Sequence, residues 1–323
     1  MSRVLDAYRR TGADLPFGDP RRAHGVAMEG YYWRLTDPAS ERCIVALCGV
    51  CRAPDGPWAV VALASHPHAF VRWRATAAAA AEPDGLGAVA WERDGAPVLR
   101  GSERRIAVDL GPDARLEAAI EGRVPWPRAG LGALGVAQAV PGLPQYWHPA
   151  VLGARVRGEA VLGGETVSLD GWDAYVEKNW GGAFPGEWWW GQAGLGDGAM
   201  AAFAGGRLRG PLTASAIVVR AGGDLVRFAP PGAVVRAEAG GGEWRLRGRT
   251  PRWSVLLEGE AARGPHILPV PVPAERRAVL RSEHYLAGRM GVVLRRGRRV
   301  VLREASSLAG LEHGTPADGN GAG

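Results

Sequence analysis

Short apolar segments alternate with turn residues along most of this chain. The candidate strands are bounded by glycine, proline and aspartate, and examples are residues 31–35, 43–50, 59–64, 213–220, 225–229 and 253–259. Residues 155–169 predict a hairpin with Gly163 and Gly164 at its turn. Short strands at this spacing with glycine turns are typical of an all-β protein, either a sandwich or a barrel.

Three segments depart from this pattern. Residues 1–24 hold a short amphipathic start and then several proline and glycine residues, which predicts a brief helix followed by an arm. The alanine-rich residues 75–81 fit either a short helix or the edge of a sheet. Residues 315–323 are dominated by glycine and small polar residues, so we expect a disordered tail.

The order of the segments predicts an internal repeat. One series of strands opens with Glu29-Gly-Tyr-Tyr-Trp-Arg and a second with Gly186-Glu-Trp-Trp-Trp-Gly. Each series closes with a histidine, a hairpin and a glutamate, which are His148 to Glu177 in the first and His284 to Glu312 in the second. We therefore expect two β-rich halves in tandem that meet near residues 184–186.

Composition limits the kinds of binding partner and the cellular location that we expect. The 323 residues carry 39 basic and 33 acidic side chains, a net charge of +6, and the arginines are scattered along the strands. This scatter does not favour nucleic-acid binding, although a mild positive charge suits peripheral contact with anionic lipid headgroups. Since no apolar run approaches the ~20 residues of a membrane span and the start lacks a signal-peptide core, we expect a soluble cytoplasmic protein, with peripheral membrane contact as an option.

The three cysteines do not predict a metal centre. Cys43, Cys48 and Cys51 have the C-x4-C-x2-C spacing that begins a plant-type iron–sulfur loop, but the chain has no fourth cysteine. They fall within an apolar candidate strand. Buried, reduced thiols are therefore expected.

A glycine-rich segment invites comparison with dinucleotide-binding loops. Gly130-Leu-Gly-Ala-Leu-Gly fits G-x-G-x-x-G, but prolines 125 and 127 interrupt the strand that should precede the motif. Pro141 stops any following helix after barely one turn. We predict a loop over a pocket or a plain connection, and no nucleotide cofactor.

The unusual chemistry of the chain is concentrated in residues 172–192. Lys178 is the only lysine, Asn179 is the only asparagine outside the last four residues, and five of the thirteen tryptophans fall in this segment. In a strand, Tyr175, Glu177 and Asn179 would share one face, and Lys178 and Trp180 the other. Each face then mixes apolar and ionisable groups, which fits either a satisfied network inside a barrel or a catalytic site.

These residues carry a resemblance to a known family. Tyr175-x-Glu-Lys-Asn-Trp-Gly-x-x-Phe-Pro followed by Trp188-x-Trp-x-Gln resembles the signature of the tocopherol cyclase family. It is more distantly similar to the Tyr-x-acid-x-x-Trp-Gly motif of carotenoid 1,2-hydratases and AttH-like proteins. Met28-Glu-Gly-Tyr-Tyr-Trp-Arg and Pro144-Gln-Tyr-Trp-His agree with the resemblance, whereas residues 65–116 show no family pattern.

The resemblance implies a fold and a division of the chain. It implies an all-β protein made of two tandem lipocalin-like, calycin-type antiparallel barrels or sandwiches. The expected division is an arm of residues 1–24, a first domain of residues 25–184, a second domain of residues 185–314 and a tail of residues 315–323.

The resemblance also implies a reaction, the protonation of a trisubstituted alkene followed by capture of the tertiary cation by an oxygen. In the cyclases that oxygen is a phenol of the same molecule, and in the hydratases it is water. We therefore expect a cofactor-independent, metal-free cyclase of the isomerase type that acts on a prenylated aromatic quinol or a related terpenoid lipid. A hydratase, a pericyclic cyclase and a non-enzymatic carrier of a hydrophobic ligand are the alternatives.

Glu177 is the candidate proton donor, because burial in an apolar cavity can raise the pKa of a carboxyl group by up to ~3–5 units. The resemblance makes His148 the partner of this acid and Tyr175 a stabiliser of charge. Asn179, on the same predicted strand face as Glu177, is the fourth catalytic candidate. A developing cation is stabilised by π-faces. The candidate substrate-binding residues are Trp147, Trp180, Trp188, Trp190, Tyr32, Tyr146, Gln192 and Glu29, the last of which is expected to pair with a nearby arginine.

Overall fold

The computed structural model describes residues 2–128 and 130–314, which form an almost entirely β structure. Within these residues one α-helix, α1 (Ser2–Arg9), precedes the strands. The strands of the first half are β1 (Met28–Asp37), β2 (Arg42–Ala53), β3 (Gly56–His66), β4 (Phe70–Ala75), β5 (Ala78–Ala81), β6 (Gly87–Trp91), β7 (Pro97–Ser102), β8 (Arg105–Asp109), β9 (Ala114–Glu121), β10 (Gln145–Val151), β11 (Arg155–Leu162), β12 (Glu165–Ser168) and β13 (Asp173–Gly181).

The second half continues with a similar series of strands. They are β14 (Trp188–Gly194), β15 (Met200–Arg209), β16 (Leu212–Ala221), β17 (Asp224–Phe228), β18 (Val234–Gly240), β19 (Glu243–Arg249), β20 (Trp253–Glu260), β21 (His266–Val272), β22 (Arg277–Arg296) and β23 (Arg299–Gly314). Short 3-10 helices lie at Gly135–Ala139, Gly196–Gly198 and Pro273–Glu275.

Two large antiparallel sheets organise the chain, one in each half. The first has the order β4-β3-β2-β1-β13-β11-β9-β8-β7-β6-β5, and the second has the order β17-β16-β15-β14-β23-β22-β20-β19-β18. In each sheet the first strand pairs with both the second strand and the last strand of that sheet. The two sheets thus share this pairing of the first strand with the second and the last, and the predicted all-β, lipocalin-like class with two antiparallel sheets is confirmed.

Apolar side chains form one core in each half and a third core between the halves. Trp33 and Leu63 belong to the first core, and Phe203 belongs to the second. The third contains residues of both sheets, among them Tyr32 and Trp190. Because neighbouring residues of a strand point to opposite faces, β1 and β14 each supply one face to their own core and the other to the shared core.

A buried arginine also joins the two halves. Arg34 of β1 is 1% exposed, and its Nη2 donates hydrogen bonds of 2.8 Å to the carbonyl oxygens of Leu286 and Leu308. Both acceptors belong to strands of the second sheet. The contact therefore fixes β1 against β22 and β23.

The N-terminal segment packs against β13. The predicted brief helix is present as α1, and the following residues cross the back of the strand. Trp180 Nε1 donates to the carbonyl of Gly12 at 2.7 Å, and Lys178 Nζ donates to the carbonyl of Arg22 at 2.6 Å. The ring of His24 stacks on Trp180 with centroids 4.5 Å apart. One face of β13 is thus covered by the arm.

Several local predictions can be compared directly with the structure. The predicted hairpin is confirmed as β11 and β12, with Gly163 and Gly164 both at positive φ. The alanine-rich segment contains strand β5 and not a helix. The three cysteines are free and buried. The tail of residues 315–323 lies outside the described residues.

Candidate active site

A cavity of about 330 Å³ lies between the two halves. Its walls are mostly apolar and include Leu134 of the G-x-G-x-x-G motif and Ala137 just after it, so the glycine-rich segment forms a loop over the pocket. Polar groups in its wall come from both halves of the chain and include Gln145, Glu177, Asn179, Ser282, His284 and Glu312. A largely apolar pocket with a few convergent polar groups is typical of a small-molecule site.

Glu177 stands at the centre of the first group of polar residues. Its side chain is 3% exposed, and its Oε2 accepts three hydrogen bonds, from Tyr175 Oη at 2.6 Å, Trp147 Nε1 at 2.7 Å and Trp190 Nε1 at 2.9 Å. Among the described residues none donates a hydrogen bond to Oε1. Since the three donors occupy one carboxyl oxygen, a proton is best accommodated on the other.

The environment lets this carboxyl group keep its proton in part at neutral pH. Burial raises the pKa of Glu177 to about 7, because a charge is poorly solvated in an apolar chamber. The hydrogen bonds from Tyr175, Trp147 and Trp190 lower the pKa and so oppose burial, whereas the charge of Glu312 raises it further. A carboxylic acid that still holds its proton near neutral pH can act as a general acid.

A second group of polar residues lies in the wall of the same cavity. His284 Nε2 is 2.9 Å from Tyr32 Oη, and its Nδ1 is 3.3 Å from Glu312 Oε2. Glu312 Oε1 accepts hydrogen bonds from Trp188 Nε1 and Ser282 Oγ, both at 2.7 Å. Burial alone would raise the pKa of Glu312, but the hydrogen bond and charge interaction with His284 and the hydrogen bonds from Trp188 and Ser282 outweigh it and lower the pKa. Glu312 is therefore an anion, whereas Glu177 is only partly ionised at neutral pH.

Strand register brings the two groups together. Tyr32 of β1 is the direct cross-strand partner of Glu177 of β13, and Glu312 of β23 is the partner of both Trp190 and His284. The Trp190 indole donates to Glu177, and its ring centroid lies 5.0 Å from that of Tyr32 and 5.4 Å from that of His284. One indole thus contacts both groups.

The structure brings most of the predicted site residues together. Tyr175 contacts Glu177 directly, and Asn179 accepts a hydrogen bond of 3.0 Å from Gln145. Gly30, opposite Asn179, leaves room for it, because a Cβ there would lie 2.5 Å from Asn179 Oδ1. The predicted residues that line the cavity are Tyr32, Tyr146, Trp147, Glu177, Asn179, Trp188 and Trp190.

His148 does not accompany the acid, contrary to the prediction. It is the cross-strand partner of Lys178, so it shares the face that Lys178 occupies, whereas Pro149 lies opposite Glu177. A difference of one residue in register moves a side chain to the other face of a sheet. His148 packs against Trp126 with centroids 5.1 Å apart, and burial lowers its pKa to about 3. The histidine in the cavity is His284.

Three other candidates lie outside the cavity wall. Glu29 pairs with Lys178 at 2.9 Å on the face of β13 that the arm covers, so the expected arginine partner was wrong. Burial alone would raise the pKa of Glu29, but the Lys178 ammonium outweighs it and lowers the pKa. Trp180 stacks between His24 and Tyr146. Gln192 is buried on β14 and is not among the residues that line the cavity.

The residues of the second group were not predicted as site residues. His284 and Glu312 were identified only as the closing pair of the second repeat, and Ser282 carried no signal. The signal that could have found them was the matching order of histidine and glutamate in the two halves. Their meeting depends on pairing between β22 and β23, which the sequence does not specify.

The fold and this cavity define a lipocalin-like β protein that encloses a buried carboxylic acid in an apolar, tryptophan-rich chamber. The profile of the tocopherol cyclase-like family matches residues 114–315, more than half of the chain. The chain therefore belongs to the tocopherol cyclase-like family. The resemblance read from the central motif is confirmed.

Solved structures with low sequence identity share the fold. A putative AttH protein from Nitrosomonas europaea is 16% identical, with 95% of this chain and 98% of that chain covered and a TM-score of 0.52. Kievitone hydratase from Nectria haematococca is 10% identical, with 91% of each chain covered and a TM-score of 0.51. CghA, in a structure with Sch210972, is 12% identical, with 91% of this chain and 90% of that chain covered and a TM-score of 0.58. At these identities the similarity concerns the fold alone.

Proposed function

We propose that this protein catalyses the acid-catalysed cyclisation of a prenylated aromatic quinol or related terpenoid lipid, with Glu177 as the proton donor. Membership of the tocopherol cyclase-like family supports this class of reaction. The observation that carries the proposal is the carboxyl group itself: it is buried, its pKa is about 7, and it lies at an apolar cavity with one oxygen that accepts no hydrogen bond from the described part of the chain. The reaction as proposed needs no cofactor.

The proposed reaction has two bond-forming steps. The alkene π electrons take the proton of Glu177, so that a C–H bond forms, the carboxyl O–H bond breaks, and a cation develops at the more substituted carbon. A hydroxyl oxygen of the substrate then forms the C–O bond and loses its proton. An alkene is a very weak base, so the acid must be neutral and shielded from water before it reacts.

The cavity wall suits the cation that this step creates. The rings of Trp147, Trp188, Trp190 and Tyr32 line the chamber, and an aromatic face within about 6 Å attracts a positive charge. The carboxylate that Glu177 becomes is stabilised by the three hydrogen bonds to Oε2. Both products of the proton transfer therefore have groups that stabilise their charge.

Turnover in heavy water tests the proposal. The purified protein is incubated with a prenylated hydroquinone in D₂O, and the expected product has one deuteron on the carbon next to the new C–O bond. Glu177→Gln should reduce the rate by at least about 10²-fold, the usual contribution of a general acid. Asp173→Asn is the matched control, since Asp173 lies on the same strand but pairs with Arg155 at the surface.

Each other outcome identifies a different function. A cyclised product without deuterium excludes protonation and indicates a pericyclic reaction. A product heavier by one water indicates a hydratase. If the ligand binds equally well to the wild type and to Glu177→Gln and no product forms, the protein is a carrier and the proposal is wrong.

A further inference from the structure

The proposed protonation step leaves the second polar group of the cavity without a role. Tyr32, His284 and Glu312 form a continuous hydrogen-bonded row, and all three residues line the cavity. Ring closure also requires an acceptor for the proton of the attacking hydroxyl, and a base separate from Glu177 can take this proton while Glu177 is still protonating the alkene.

We propose that Tyr32 and His284, with Glu312 as the positioning residue, form the base that takes the proton from the attacking hydroxyl of the substrate. This inference rests on the proposed function and completes it. It assigns Tyr32 as the group that contacts the substrate hydroxyl and His284 as the final acceptor of the proton.

The hydrogen-bond partners define which nitrogen of His284 accepts a proton. Glu312 is ionised and can only accept hydrogen bonds, so the Nδ1 that faces it carries the hydrogen. The opposite nitrogen, Nε2, is then the acceptor for the hydroxyl of Tyr32. In this arrangement a carboxylate orients the imidazole through Nδ1, and the other ring nitrogen is directed at a hydroxyl.

The hydrogen-bonded row lies close enough to Glu177 for both to contact the same substrate molecule. Tyr32 and Glu177 are direct cross-strand partners, and such partners have Cβ atoms about 4.5–5.5 Å apart. In ring closure the protonated carbon and the attacking oxygen are bonded to the same carbon atom. An acid and a base on adjacent strands can therefore reach these two atoms at once.

The two carboxyl groups have environments that separate their roles. Burial raises the pKa of Glu177 to about 7, whereas three donors hold Glu312 as an anion, and the charge of Glu312 favours the protonated form of Glu177. Two carboxyl groups whose pKa values are moved apart in one cavity are the usual sign of a divided acid and base assignment.

The proton transfer balances in atoms and charge. As the C–O bond forms, the substrate O–H bond breaks and its proton moves to Tyr32 Oη, while the Tyr32 proton moves to His284 Nε2. The product is neutral, Glu177 is a carboxylate and His284 is an imidazolium. Return of one proton from His284 to Glu177 restores both groups for the next turnover.

The row also narrows the substrate class. A base fixed at the cavity wall is useful when the ligand carries its own hydroxyl close to the alkene, as a prenylated phenol does. The rest of that wall is largely apolar and suits the aromatic ring and the prenyl chain.

A phenol that cannot react tests the base directly. The probe is a 4-nitrophenol with a saturated alkyl chain next to the hydroxyl, whose phenolate and phenol forms absorb at different wavelengths. Bound to the wild-type protein at neutral pH, the probe should be ionised to a greater extent than it is free in the same buffer. His284→Gln and Glu312→Gln should each lower the bound phenolate-to-phenol ratio by about tenfold.

The matched control is His313→Gln. His313 follows Glu312 on β23, points to the other face and lies 3.5 Å from Glu187, outside the cavity. This variant should leave the ratio unchanged. An equal phenolate ratio in the wild type and in folded His284→Gln or Glu312→Gln overturns the proposal, and so does failure of the probe to bind the wild type.

Exchange in heavy water separates this inference from the proposed function. His284→Gln and Tyr32→Phe should slow ring closure of a prenylated hydroquinone by about 10²-fold, while recovered substrate still acquires deuterium at the alkene through Glu177. Glu177→Gln should abolish both exchange and closure. Exchange that persists in Glu177→Gln contradicts the acid, whereas normal closure in His284→Gln contradicts the base alone.

Discussion

At the scale of single residues, the state of Glu177 is decided by opposing effects of its surroundings. Burial favours the neutral acid, and three hydrogen bonds on Oε2 favour the carboxylate, with burial the larger effect. The donors do not abolish the acid, but they stabilise the anion that remains after proton transfer. The strength of the acid is therefore set by residues that never touch the reacting carbon.

Removing one donor should weaken the acid. In Tyr175→Phe the hydroxyl that donates to Oε2 at 2.6 Å is lost, so the pKa of Glu177 should rise above about 7. Because a hydrogen bond to a charged group contributes about 1.5–3 kcal/mol, the falling limb of the pH–rate profile should move up by about one to two pH units. Tyr285→Phe, whose hydroxyl contacts the exposed Glu283, should leave the limb in place. A limb that moves to lower pH in Tyr175→Phe would contradict this account.

The raised pKa of Glu177 should also make the free energy of unfolding depend on pH. Below pH 4.5 the group is protonated in both the folded and the unfolded states, and between pH 4.5 and about 7 only the folded state keeps the proton. The folded state therefore loses about 3 kcal/mol of stability as the pH rises through this window, at about 1.36 kcal/mol per pH unit.

The measurement is the free energy of unfolding at pH 4 and pH 8. The difference between the wild type and Glu177→Gln should change by about 3 kcal/mol in favour of the variant at the higher pH. The exposed Glu159→Gln serves as the control and should show no comparable change. A pH-independent difference would mean that Glu177 titrates as an ordinary glutamate.

At the scale of elements, the two faces of β13 lie in different environments. Tyr175, Glu177 and Asn179 belong to the side of the cavity, whereas Lys178 and Trp180 hold the N-terminal arm. Burial lowers the pKa of Lys178, and the neighbouring Glu29 carboxylate opposes this effect. The only lysine of the chain is thus a structural cation on the reverse side of the strand that carries the acid.

Breaking this buried pair should release the arm. In Lys178→Met the carboxylate of Glu29 loses its partner inside the protein, so unfolding should require about 3–5 kcal/mol less free energy. The double variant Glu29→Gln/Lys178→Met should recover part of that loss. Denaturant unfolding measures the free energy, and faster tryptic cleavage near Arg9 reports release of the arm.

An exposed ion pair at the end of the same strand supplies the control. Arg155 and Asp173 are 2.7 Å apart with side chains 68% and 46% exposed. Arg155→Met should change stability by less than about 1 kcal/mol. If Lys178→Met and Arg155→Met lowered the free energy of unfolding equally, burial of the Lys178–Glu29 pair would not be the cause of the loss.

The elements were easier to predict than the contacts between them. Period-two alternation and glycine turns indicated the β11–β12 hairpin and the two faces of β13, because these features depend on nearby residues. His148 was expected beside Glu177 from the family resemblance, but the register of β10 against β13 pairs it with Lys178 and pairs Pro149 with Glu177. β11 and β12 lie between these two strands in the sequence, so no local pattern shows that register.

At the scale of the whole molecule, the cavity exists only where the halves meet. The acid comes from the first sheet, one of its three donors is Trp190 of the second sheet, and Arg34 ties β1 to carbonyls of β22 and β23. The third apolar core also contains residues of both halves. Neither half alone encloses the acid.

The two halves should therefore unfold together. Only residues 182–187 connect the last strand of one sheet to the first strand of the other, and each half would expose the shared apolar core if it separated. Calorimetry should give one transition, with a van't Hoff enthalpy close to the calorimetric enthalpy. Two resolved transitions, or fluorescence and circular dichroism midpoints that differ, would show that the halves are independent.

Pairing of the first strand with the last also determines how the chain can mature on the ribosome. β1 begins at Met28, and its partner β13 begins at Asp173, about 145 residues later. At synthesis rates of roughly 5–20 residues per second, the apolar β1 can pair only with β2 for on the order of ten seconds, until β13 has been synthesised. Trp190 and Glu312 emerge later still, so nascent chains cannot enclose the acid until translation is almost complete.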